Sequence, residues 1–268
     1  IVLLDGGTGT LLQEAGLPVG ERPERWNVTH PDVLQSIHKA YFDAGSHIVC
    51  TNTFGANPFA FGEKELEEIV RAALRNARIA AAESGAPQPK FVALDVGPSG
   101  KLLSPLGTLP FEDAVAAFAA VMRIGAEAGA DLIVIETMND SYETKAALLA
   151  AKEQTDLPVL VSNAYGGDGK LMTGADPAAM TALLEGMGAD AIGMNCSLGP
   201  DQLAPIAAEY LRVASVPVLL KPNAGMPRRE GDRTLFDVGP DEFAQKVAAL
   251  VKQGVRIVGG CCGTTPAH

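Results

Sequence analysis

The chain has 268 residues, 47% hydrophobic and 20% charged, enough apolar side chain for a well-buried core of barrel size. A formal net charge of -11 excludes the clustered basic face that a nucleic-acid surface requires. No apolar run approaches the ~20 residues of a membrane span, and the opening Ile1-Val2-Leu3-Leu4 has no basic stretch before it, so it does not read as a signal peptide.

Strand-length apolar runs fall at 1–4, 47–51, 91–94, 132–135, 159–162, 191–194, 217–220 and 256–258. They are near-continuous Val/Ile/Leu, the pattern of strands covered on both faces. Helical periodicity fills the spaces between them, at 32–44, 63–83, 111–128, 141–153, 177–187, 202–213 and 240–252. Gly45, Gly129 and Gly188 stand just past predicted helix ends, where a left-handed residue stops a helix. Repeated right-handed βα units predict a (β/α)8 TIM barrel, one α/β domain over residues 1–268. An eighth helix is expected from Thr265-Pro266, truncated at His268, and with the non-Met start this makes the chain an expected excerpt of a longer one. The stretches 16–27 and 97–109 are predicted loops at the carboxyl ends of strands one and three, the face on which barrel enzymes build their sites.

The polar residues of interest gather at those carboxyl ends. Strand six runs into Asn195-Cys196, and strand eight into Gly259-Gly260-Cys261-Cys262-Gly263. Three thiols from two strands are therefore expected at one mouth, where Cys196, Cys261 and Cys262 suit a tetrahedral Zn2+ with its fourth position open. The plain alternative is a set of small buried residues after strands. The flanking glycines favour the metal reading, because they suit a sharp turn and a close approach. Cys50, inside the run of strand two, reads as a small buried hydrophobe. Four cysteines make no disulfide framework in a chain of this size, which points to the reducing cytoplasm. The four histidines do not fall at strand ends. The Gly-rich start 5–10 lacks the spacing of a dinucleotide fingerprint. Asp5 and Glu136 are carboxylates at an apolar mouth and need a cation or hydrogen bonds. A ligand's ammonium group, an internal network and Lys221 reaching across the mouth are the three ways to meet that need.

The segments Asn52-Thr53-Phe54-Gly55-Ala56, Asn195-Cys196-Ser197-Leu198-Gly199-Pro200, Pro222-Asn223-Ala224-Gly225 and Gly259-Gly260-Cys261-Cys262-Gly263-Thr264-Thr265-Pro266 together resemble the homocysteine S-methyltransferase domain family. Glu136-Thr137-Met138 followed by Glu143-Thr144-Lys145-Ala146 look most like the amino-terminal module of cobalamin-dependent methionine synthase. The resemblance implies zinc on Cys196, Cys261 and Cys262, and homocysteine as methyl acceptor. It implies that Asp5 and Glu136 hold the amino group of homocysteine, that backbone near Gly6 helps seat it, and that Asn223 lies at the rim of the metal site. Methylcobalamin on a separate module is the implied donor, with folate and cobalamin modules in the same longer chain and neither nucleic acid nor membrane as partner. Two rival readings stay open: a free-standing methyltransferase using S-methylmethionine or a similar small donor, and a non-catalytic barrel whose cysteines form a structural zinc clip.

Overall fold

Runs of Val, Ile and Leu escape water only when both faces are covered. In the computed structural model of the chain, which describes residues 1–230 and 233–268, they line a barrel. In chain order the elements are β1 (Val2–Leu3), α1 (Thr8–Glu14), a 3-10 turn (Pro23–Arg25), α2 (Trp26–Thr29), α3 (Pro31–Asp43) and β2 (Ile48–Cys50). Next come α4 (Glu63–Glu83), β3 (Phe91–Val96), α5 (Phe111–Glu127), β4 (Leu132–Met138), α6 (Ser141–Gln154) and β5 (Val159–Asn163). They are followed by α7 (Pro177–Gly186), β6 (Ala191–Asn195), α8 (Pro200–Val213) and β7 (Val218–Lys221). The last are β8 (Arg228–Glu230), β9 (Arg233–Leu235), α9 (Pro240–Gln253) and β10 (Ile257–Val258). Eight strands pair in the order β1-β10-β7-β6-β5-β4-β3-β2, all parallel. The ends of the row meet, since Leu4 bridges Ile48 and the His47 N–H donates to the Leu3 carbonyl at 2.8 Å. The expected (β/α)8 barrel is the fold.

Two cores follow from the two faces of each strand. Leu4, Ile48, Ala93, Val134, Leu160 and Leu219 belong to the cluster that fills the barrel, and a larger cluster lies between strands and helices. Side chains alternate along a strand, so the next inward positions are Asp95 after Ala93, Glu136 after Val134, Ser162 after Leu160 and Lys221 after Leu219. All four are buried. The apolar plug thus gives way to a polar layer at the carboxyl ends. Gly193 of β6 is required by its neighbour, because a Cβ there would stand 1.8 Å from the Leu219 carbonyl oxygen of β7. Gly193→Ala should lower the urea midpoint by the equivalent of about 1–3 kcal/mol. An unchanged midpoint would show that the two strands can part without loss.

The helix ends obey local chemistry. Gly45, Gly129 and Gly188 have φ of 111°, 89° and 82°, the left-handed stops expected of them. Asp140 and Asp176 cap α6 and α7 by accepting the backbone N–H of Tyr142 and Ala179. Helix α8 starts at Pro200, two residues before its predicted start, because proline fits a first turn.

The stretch expected as loop at 16–27 carries the 3-10 turn and the start of α2, whose Trp26 and Asn27 are buried. The hairpin of β8 and β9 was not foreseen, since three-residue strands are too short to show an alternation. Where an eighth helix was expected, Thr265 has no regular structure and Pro266 lies in a turn. No helix among the described residues is long and apolar enough to cross a membrane.

Candidate metal centre and amino-acid pocket

The carboxyl ends of the strands open on a cavity of about 410 Å³. Its wall includes Cys196, Cys261 and Cys262, together with Asp5, Gly6, Asp95, Glu136 and Lys221. Cys196 follows β6 with φ of 57°, and Ser197 follows with φ of 59°, a left-handed pair without glycine. Such backbone is held by its surroundings. Here the Cys196 N–H donates to the Lys221 carbonyl at 3.0 Å and the Cys261 N–H to the Pro222 carbonyl at 2.9 Å, so the end of β7 anchors both thiol-bearing turns.

The sulfurs of Cys196, Cys261 and Cys262 lie within 4.8 Å of one another, and those of Cys196 and Cys262 are 3.8 Å apart. A tetrahedral zinc with Zn–S bonds near 2.3 Å requires sulfurs about 3.8 Å apart. The donor set fits zinc in softness, in number and in spacing. With three protein ligands, the fourth position is left to a molecule in the cavity. The thiols also share their protons. Cys196, accepting hydrogen bonds from Cys261 and Cys262, is pulled down to about 3, while Cys262, donating to it, is pushed up to about 11.

Asn195 supports this cluster from behind. Fully buried, it accepts the Thr137 N–H at 2.8 Å and the Ser162 hydroxyl at 2.7 Å on its Oδ1. Its Nδ2 donates to Thr137 Oγ1 at 2.7 Å and lies 3.9 Å from Cys261 Sγ. Thr137 has φ of 60° and sits where the β4–β5 register shifts, so the bulge turns the strand end just after Glu136. Asn223, expected at the rim, accepts the Cys262 N–H on its Oδ1 at 3.1 Å and so fixes that turn.

The expected role of the paired glycines is corrected in one respect. Neither Gly259 nor Gly260 has a positive φ; Gly263 does, at 78°. Gly259 and Gly260 serve close approach, because a Cβ would meet the Asp5 carbonyl oxygen at 2.7 Å and Thr264 Oγ1 at 2.2 Å. Gly6 is constrained in the same way, with Thr264 Oγ1 2.5 Å from its would-be Cβ.

Across the cavity lies the acidic end. Lys221 Nζ is 2.5 Å from Glu136 Oε2, 3.9 Å from Asp5 Oδ1 and 4.0 Å from Cys50 Sγ. Of the three partners open to the carboxylates in the sequence, Lys221 is in place beside both, and an internal hydrogen bond is in place on Asp5. Burial by itself would lower the Lys221 pKa, but Cys50, Glu136 and Asp5 around it outweigh that and hold it well above the usual value. Asp5 accepts the Cys50 N–H on Oδ2 at 2.8 Å, yet burial still lifts its pKa to about 6. Cys50 is buried in the barrel interior, as expected, and burial pushes its thiol well above the ordinary range. The described wall of the cavity contains no histidine. Two residues of this site were not singled out from sequence, Asp95 and Asn195. The two-residue alternation from Ala93 and Gly193 was the signal that pointed to them.

Across residues 2–268 the chain matches the family model described as homocysteine S-methyltransferase. It is 34% identical over 285 aligned positions to the methionine synthase of Mycobacterium tuberculosis and 33% identical to that of Mycobacterium leprae. Both alignments take in the whole of this chain, which spans 24% of the length of either relative. The oxidized form of the homocysteine methyltransferase MmuM from Escherichia coli shares the fold, with a TM-score of 0.83 over 100% of this chain and 93% of that one at 23% identity. With a match running from Val2 to His268, the chain belongs to the homocysteine S-methyltransferase family.

Proposed function

We propose that residues 1–268 form a module that binds homocysteine and activates its thiol for methylation to methionine, with zinc on Cys196, Cys261 and Cys262. The observation that carries this reading is the spacing of the three sulfurs, the edge of a zinc tetrahedron, on the wall of an amino-acid-sized cavity with an acidic far end. Zinc held there supplies Lewis acidity, which lowers the pKa of a thiol admitted to the open position.

The chain's own residues do the rest. The turns after β6 and β10 present the sulfurs, Asn195 orients that of Cys261, and Asn223 holds the Cys262 backbone at the rim. Asp5 and Glu136, beside the close-packed backbone of Gly6, make the acidic end that receives the amino group. The apolar wall, Phe54 and Phe236 among it, excludes water from the thiol.

The donor in this reading is methylcobalamin on another module of a longer chain that also carries a folate module. Two observations support it. The relatives are about four times as long as the aligned part, and exposed Val19, Phe54, Leu106, Met172 and Met226 lie in the segments that follow β1, β2, β3, β5 and β7, on the carboxyl side of the strands. An apolar rim suits the docking of a bulky carrier. Four free cysteines call for a reducing compartment, the cytoplasm.

The test adds homocysteine to the zinc-loaded chain and follows protons and product. About one proton should be released per chain on binding, and methionine should form from methylcobalamin but not from S-methylmethionine. Turnover of S-methylmethionine alone would make the chain a free-standing enzyme. Bound zinc with no proton release would make the cysteines a structural clip.

A further inference from the structure

Four carboxylates, those of Asp5, Glu24, Asp95 and Glu136, line the cavity beside one ammonium group among the described residues, that of Lys221; Glu24 Oε1 is taken by the Gly55 N–H at 2.7 Å. Lys221 is committed to Glu136 Oε2 at 2.5 Å and stands 3.9 Å from Asp5 Oδ1. Two buried oxygens are left with no hydrogen bond, Asp5 Oδ1 and Asp95 Oδ1. Asp5 is 2% and Asp95 7% exposed. A buried carboxylate oxygen without a donor is costly, and in a folded protein it calls for an explanation.

The surroundings of Asp95 sharpen the point. Its backbone is clamped, since its N–H donates to Thr51 Oγ1 at 3.2 Å and its carbonyl accepts from Thr53 Oγ1 at 2.7 Å. The two threonine hydroxyls also bond each other at 2.7 Å. Those two hydroxyls are thus spent on the main chain and on each other, and Asp95 Oδ1 is left buried without a donor. Burial, and then the charge of Glu136, push its pKa well above the usual carboxylate range.

We propose that Asp95 is a further substrate-binding residue, which joins Asp5 and Glu136 in taking the ammonium group of the incoming amino acid, with Lys221 as the standing counter-ion of the acidic group. The ligand class follows from the chemistry: a primary ammonium suits the acidic end, where Asp5 and Asp95 line the cavity and each keeps an oxygen without a donor, and the thiol at the other end reaches the cysteine cluster. The inference rests on the homocysteine reading above and adds a third acceptor for its amine.

The test compares homocysteine with 4-mercaptobutyrate, the same thiol acid without the amine, by calorimetric titration of the zinc-loaded chain and of Asp95→Asn. Homocysteine should bind about 10- to 100-fold more weakly to the variant, the size of one charged hydrogen bond. Affinity for 4-mercaptobutyrate should not change, and the ligand-free melting temperature should hold or rise. Asp95→Ser, with a smaller side chain, gives the same comparison if the amide does not fit. Equal weakening of both ligands would assign Asp95 a structural role and overturn the proposal, as would unchanged affinity for homocysteine. If the wild-type chain binds the two thiols equally well, there is no ammonium site and the inference falls while thiol activation stands. If it binds neither, the functional reading falls with it.

Discussion

Cys261→Ala and Cys262→Ala should each weaken zinc binding by more than about 100-fold, since even the partners that merely orient metal ligands are worth about 10–100-fold. The sulfurs of Cys196 and Cys262 are already at the separation a zinc tetrahedron requires, and that of Cys261 lies within 4.8 Å of both. Removing one leaves two thiols and an extra open position. Competition against a chromophoric chelator measures the loss, and homocysteine-dependent methionine formation should vanish with the metal. Retention of zinc at wild-type affinity by either variant would remove that cysteine from the metal site. The comparison also separates the catalytic reading from a structural clip: a clip variant should lose melting temperature along with its metal. An open catalytic site on a barrel with its own apolar core should lose metal with little change in unfolding.

Lys221→Met should have the second large effect, this time on stability. Lys221 is the cation among Asp5, Asp95 and Glu136, and its side chain is 3% exposed. Removing one partner of a buried ion pair costs about 3–5 kcal/mol, because the other charge is left unpaired. The carboxylates can partly relieve this by staying protonated, which fixes the pH dependence. Burial holds Asp5 near 6 in the folded chain, above its value of 3.8 when unfolded, so the folded state keeps its proton more tightly. A rise in pH through that window therefore favours the unfolded chain.

Without Lys221 the folded-state values climb further, and the deficit of the variant should widen as pH rises through about 6. Urea denaturation at several pH values reads this directly. A deficit that narrows with rising pH would contradict the assigned charges. The double variant Lys221→Met/Glu136→Gln should recover much of the loss, since replacing both members of a buried pair is often nearly neutral.

Much of this protein was legible in its sequence, for identifiable reasons. Continuous Val/Ile/Leu runs cannot face water, so each marked a covered strand, and amphipathic stretches between them marked the helices. Gly45, Gly129 and Gly188 closed helices because an achiral residue takes a left-handed backbone without strain. Once the runs were strands of a barrel, the residues after them had to share its carboxyl end, and Cys196, Cys261 and Cys262 converged as expected. Local chemistry with a regular period is what sequence carries well.

What only the tertiary structure decided concerns partners across the barrel. Lys221 lies 85 residues from Glu136 in the chain, and no local pattern says which of three candidate partners fills the acidic end. The free oxygens of Asp5 and Asp95, the Asn195 hub between β4, β5, β6 and Cys261, and the glycines at 259 and 260 are likewise products of strands meeting. The short hairpin of β8 and β9 and the turns of 23–29 arise from packing rather than periodicity. Sequence determined the barrel and the convergence of the three cysteines, because burial and βα repetition act along the chain. The charge balance of the pocket was set in space, where the distance between an ammonium and a carboxylate decides which of them is left free for a ligand.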